Sequence, residues 1–184
     1  MKKLFYASLV ITAFLFVGCP YEGNVELNTY EDSLKTDKKL EGEWVAFHAD
    51  GGREELYIEK AAKSVLSVIH KQYGEKNKLE GNFKYRVYST EISGYTIFNI
   101  ENTEGKYLYT KFGWTGKNEF YVQFIDADYM ENNYKVDSVT TENLRSFITE
   151  NVNTEKMYGD KLEFYRKYSP EYQKVKMFMK KSGF

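Results

Sequence analysis

The chain has 184 residues, a formal net charge of −1 and a single cysteine. That length allows one domain plus a short appendage. The charge offers no field for nucleic-acid phosphates, the lone cysteine excludes an intramolecular disulfide, and two histidines leave little material for a transition-metal site. A hydrophobic content of 42%, with 17 Tyr, 13 Phe and 2 Trp, excludes a disordered chain.

The chain opens with Lys2 and Lys3, followed by an uncharged, mostly apolar run from Leu4 to Val17. The run has the length of a signal-peptide core and is short for a membrane-spanning helix, which needs roughly 20 residues. It ends at Phe16-Val17-Gly18-Cys19, which resembles the lipobox of bacterial lipoproteins. The resemblance implies a signal peptide over 1–18 and a diacylglycerol on Cys19. It also implies membrane attachment through two or three acyl chains, since one chain holds only marginally. Removal of Lys2 and Lys3 would take the charge from −1 to −3. Pro20 stands where an Asp would resemble an inner-membrane retention signal, so the expected location is the bacterial cell envelope, at the outer rather than the inner membrane.

Residues 19–39 read as the lipidated N-terminus and a flexible tether, with a reach on the order of 25 Å; a short strand at Val25–Leu27 is the alternative. From Leu40 the texture changes to short β-branched and aromatic runs separated by Gly, Asn and charged turns, the signature of strands and hairpins. Strands are expected at 42–49, 54–60, 64–73, 82–92, 94–101, 105–113 and 118–126. Asp128 and Glu131 have capping-box spacing for a short helix. A second helix starts at Thr141, with Leu144, Phe147, Ile148 and Val152 on one stripe. A last strand covers 162–167, with Leu162, Phe164 and Arg166 on one face. Ser169-Pro170 opens a basic C-terminal helix or tail, 169–184.

The 40–168 segment is therefore mostly β: an eight-stranded antiparallel up-and-down barrel with a helix before the last strand and a C-terminal helix. Eight strands are the smallest number that closes with room for side chains or one small ligand. An open α+β sheet is the alternative. Gly42-x-Trp44 resembles the signature that opens the first strand of lipocalins and related calycin barrels. The resemblance implies that Trp44 plugs one barrel end and stacks on an arginine, for which Arg166 is the candidate.

The aromatics on neighbouring strands admit two readings, a filled core or an apolar cavity. A cavity would use Tyr85, Tyr107, Tyr109, Phe120 and Phe124. His48 and His70 stand alone on separate strands and read as structural. Asp126, Asp128 and Glu131 lack the glycine of a calcium loop and read as helix capping. No nucleophile elbow, zinc-protease or phosphate-loop motif appears, so neither catalysis nor a cofactor or metal is expected. The leading expectation is a lipid-anchored envelope protein whose lipocalin-like domain binds a small apolar ligand. The alternative is a structural or protein-interaction lipoprotein with a filled core, meeting an envelope or host protein. No nucleic-acid partner is expected.

Overall fold

A computed structural model of the chain describes residues 19–181; the signal-peptide reading of 1–18, including Val17 and Gly18 of the lipobox, lies outside them. Nine strands form one antiparallel sheet: β1 (Glu22–Gly23), β2 (Gly42–Phe47), β3 (Arg53–Lys60), β4 (Leu66–Tyr73), β5 (Leu79–Ile92), β6 (Tyr95–Glu101), β7 (Tyr107–Gly116), β8 (Glu119–Phe124) and β9 (Leu162–Arg166). Among the described residues three α-helices complete the fold: α1 (Ala127–Asn133), α2 (Thr141–Asn151) and α3 (Pro170–Lys181).

From β2 to β9 each strand pairs with the next, and β9 pairs back on β2 through Trp44↔Arg166 and Val45↔Tyr165. The result is a closed eight-stranded up-and-down barrel. Closure leaves none of these eight strands as a bare edge. The strand boundaries shift by a few residues from those the sequence pattern implies, most of all at β5 and β7.

Two hydrophobic cores share the barrel wall. Inside lie Trp44, Ala46, Ile58, Leu66, Val68, Val87, Phe98, Phe120, Val122 and Phe164, which alternate along their strands as the pleat requires. Outside, Ile97 and Tyr109 are covered by Leu144, Ile148 and Val152 of the α2 stripe, together with Leu27, Met130 and Met157. Helix α2 is capped by Thr140, whose hydroxyl accepts from Asn143 N while Asn143 Oδ1 accepts from Thr140 N. Its Arg145 guanidinium donates to Leu27 O, Thr90 Oγ1 and Glu91 O, tying the helix to the wall.

Two sequence expectations need correction here. The segment from Pro20 to Lys39 does not hang free. Tyr21 N donates to Ile125 O, Leu27 N donates to the buried Asn99 Oδ1, and Leu27 is buried. The strand in this segment is Glu22–Gly23, not Val25–Leu27. Strand β8 stops at Phe124, opposite Thr110, so the first residues of β7 keep an open side, and β1 fills it through Glu22↔Leu108. Gly23 is required there, because a Cβ would collide with the Tyr109 hydroxyl. Second, the cap of α1 is Asp126 rather than Asp128: its carboxylate accepts from Tyr129 N at 2.8 Å, and Asp128 lies in the first turn.

The C-terminal segment forms α3, which docks through the buried Tyr172 against Phe47 and leaves Met177 and Phe178 exposed. Among the described residues no helix is long and apolar enough to cross a membrane.

Candidate functional site

The barrel is packed solid at one end and hollow at the other. At the packed end, Trp44 lies against Phe120 and Trp114, with ring centroids 4.7 and 5.9 Å apart. Phe120 continues the cluster onto Phe112 and Phe164. The indole of Trp44 is fully buried and donates from Nε1 to Leu40 O at 2.8 Å. The Arg166 guanidinium sits 4.4 Å from the centre of the Trp44 ring and donates to Glu41 O and Lys39 O. Trp44 and Arg166 are thus adjacent, on the two strands that close the barrel. Gly42, two residues before the tryptophan, has φ +126°, and a Cβ there would stand 2.8 Å from Arg166 Nη1. Backbone conformation and the close guanidinium both demand glycine at this position.

Toward the other end the side chains no longer meet, and a cavity of about 290 Å³ opens. Its walls are almost entirely apolar: Ile58, Leu66, Val68, Val87, Ile100 and Leu162 among them, with Phe120 and Phe164 below. Of the five aromatics named from the sequence, Tyr85, Phe120 and Phe124 line it. Tyr107 and Tyr109 do not. On β7 the even positions Leu108, Thr110, Phe112 and Trp114 turn inward, so Tyr107 and Tyr109 point out of the barrel and pack in the outer core. Tyr109 is fully buried there and donates to Val25 O; burial pushes its phenol well above the ordinary range. β7 is apolar on both faces because both faces are covered, which defeats assignment by alternation alone.

The rim has two unlike sides. Leu108, Phe124, Leu162 and Pro20 make one. Pro20 is held by a bridge to Asp126, and the carbonyl of the preceding Cys19 accepts from Ala127 N at 2.8 Å. Cys19 itself is exposed, so the mouth of the cavity and the cysteine lie side by side.

The opposite side, on β3, β4 and β5, carries Glu54, His70, Gln72, Phe83 and Tyr85. Glu54 sits between the two histidines: Oε1 is 3.0 Å from His48 Nε2 and Oε2 is 2.7 Å from His70 Nε2. The histidines are therefore not isolated. They face the same carboxylate, His70 from β4 and His48 from just past the end of β2. The second contact is close but poorly aligned, and His70 Nε2 has no geometrically sound hydrogen bond. Burial by itself would raise the Glu54 carboxyl; the His48 hydrogen bond and the two close imidazoles outweigh it and pull it down to about 2. The same hydrogen bond raises His48 above the ordinary imidazole range, against the effect of burial. Three donors in the arrangement a metal needs are not found among the described residues.

This cluster escaped the sequence reading because its members come from three separate stretches of chain, the end of β2, β3 and β4. A signal was nevertheless present. Glu54 and His70 occupy even positions on strands β3 and β4, and His48 follows β2 at the next even position; the other even positions there include Trp44, Ala46, Leu56, Ile58 and Val68. A charged residue on an apolar face is an exception that calls for a partner or a role.

No family model matches the chain, and no curated protein matches it either. A solved structure described as a de novo designed fluorescence-activating β-barrel is similar over 73% of this chain and 99% of its own, with 9% sequence identity and a TM-score of 0.41.

Proposed function

We propose that this protein is a carrier of a small apolar ligand, held at a bacterial envelope membrane by lipid on Cys19. One observation supports the carrier part above all others: a cavity of about 290 Å³, walled by aliphatic and aromatic side chains, in the hollow half of a closed barrel. An apolar cavity of this kind gains nothing from water and a good deal from hydrocarbon. At roughly 30 Å³ per methylene-sized group, the volume of a water molecule in the liquid, it takes about ten carbons. Ten buried methylenes contribute about 8 kcal/mol before the cost of association, which puts the ceiling at about micromolar affinity, with the cost of association weakening it from there. The packed end serves as the floor, and the rim beside Pro20 and Phe83 as the entrance.

Native mass spectrometry of the purified full chain against a panel of medium-chain amphiphiles tests the carrier reading. A bound adduct that weakens in Phe124→Ala supports it. A clean unliganded mass across the whole panel overturns it and favours the protein-interaction role. The anchor is tested separately: cells fed an alkyne fatty acid should label the wild type and leave Cys19→Ser unlabelled. Equal labelling would reject it.

A further inference from the structure

The cavity has a polar wall at one point only, and its composition discriminates among ligands. Among the twenty residues that line it there is one carboxylate, Glu54, and neither a lysine nor an arginine. The Glu54 and His70 side chains are each 15% exposed, so both are largely removed from water, and their polar atoms meet at 2.7 Å. Gln72 stands on the same inward face of β4, one pleat from His70 and paired across the ladder with Glu54. Phe83 and Tyr85 flank the group from β5, with ring centroids 5.9 and 6.3 Å from that of His70.

Resting on the carrier reading, we propose that the ligand is an amphiphile whose head donates hydrogen bonds. A medium-chain alcohol or amine fits, with its head against Glu54, His70 and Gln72 and its tail directed toward Leu66 and Phe120; a fatty acid does not. A hydroxyl or ammonium head can donate to the carboxylate and relieve the badly aligned His70 contact. A carboxylate head would enter a largely desolvated space already holding one carboxylate. It would find no permanent cation there, and like charges at close range in a desolvated site repel strongly. The amide of Gln72 and the imidazole of His70 can each accept or donate, so they tolerate either donor head.

Three ten-carbon ligands with one tail and different heads separate the possibilities: decanol, decylamine and decanoate, titrated at pH 8 into the purified full chain. Decanol and decylamine should bind at least about tenfold more tightly than decanoate. The isosteric Glu54→Gln should shrink the gap between amine and acid to about threefold or less. If Glu54→Gln fails to fold, the wild-type series still decides the matter. The orientation is read independently by proton NMR, because the chain has only two histidines: decylamine should move the His70 ring resonances and leave the Trp44 indole proton in place. Binding of all three with equal affinity, or tightest binding of decanoate, overturns the head preference and leaves the carrier reading standing. Binding of none overturns both.

Discussion

Removing the Arg166 side chain tests how the packed end of the barrel is held. Its guanidinium lies 4.4 Å from the Trp44 ring centre and donates to two carbonyls, those of Glu41 and Lys39. A stacked cation of this kind contributes about 1 kcal/mol when partly exposed. Each carbonyl loses a charged donor, but both lie near the surface and can take water instead, so about 1 kcal/mol apiece is the sensible weight. Arg166→Ala should therefore destabilise the protein by about 2–3 kcal/mol. With a urea dependence of about 2 kcal/mol per molar, the unfolding midpoint should fall by about 1–1.5 M. The two tryptophans, Trp44 and Trp114, both sit at this end, so their fluorescence follows the transition directly. Arg166→Lys keeps the charge and loses the planar fork; it should recover less than half of the loss. A loss below about 0.5 kcal/mol for Arg166→Ala, or full rescue by lysine, would refute the account of Gly42, Trp44 and Arg166 as one unit.

The remaining predictions follow from the same geometry. Gly42→Ala should destabilise by about 2–3 kcal/mol, since it meets both a positive φ and the Arg166 guanidinium; an unchanged melting temperature would count against it. Tyr109→Ala should cost about 3–5 kcal/mol while leaving ligand affinity within twofold, because the side chain packs outside the barrel; calorimetry together with a binding titration checks both halves. Stability should also depend on pH through the His48–Glu54–His70 cluster. The Glu54 pKa is lowered, so its contribution is present above the unfolded value of 4.5 and lost as pH falls toward about 2. The His48 pKa is raised, so its contribution is present below the unfolded value of 6.5 and lost as pH rises through the higher folded value. Stability should peak between these limits, and Glu54→Gln should flatten the profile in urea titrations across pH 2–9. A fragment beginning at Leu40 should aggregate or bind apolar dyes, since it uncovers Tyr109 and Asn99; a soluble, two-state fragment of native stability would contradict the role given to residues 20–39.

The barrel was legible in the sequence wherever one strand face was apolar and the other polar. Leu162, Phe164 and Arg166 on alternate positions of β9, and Gly42-x-Trp44 at the start of β2, are examples. The α2 stripe was legible for the same reason at helical spacing. Alternation gave no side for β7, because a second core covers its outer face. The N-terminal segment carries no periodicity at all. It is held by Leu27 in the outer core, by single polar contacts such as Leu27 N to Asn99 Oδ1, and by one close approach at Gly23, which are three-dimensional coincidences rather than patterns. The polar wall of the cavity depends on three strands standing in register, so no linear window contains it.

The pairing of β2 with β9 carries a consequence for how the molecule is made. Glu41 and Arg166, joined by a hydrogen bond at this seam, are 125 residues apart in the chain. Contacts of such separation form late, because a long loop must close before they bring any gain. As the chain is synthesised, the first seven barrel strands can pair in succession, but they then form a curled sheet with β2 and β8 as bare edges. Five residues, Leu162–Arg166, cover both edges at once. Until they arrive, the hydrocarbon-lined interior and two rows of unpaired amides face whatever surrounds the nascent chain, which is the form most prone to join another copy of itself. Folding yield should therefore hinge on β9, the shortest of the eight barrel strands, far more than its small share of the buried surface implies.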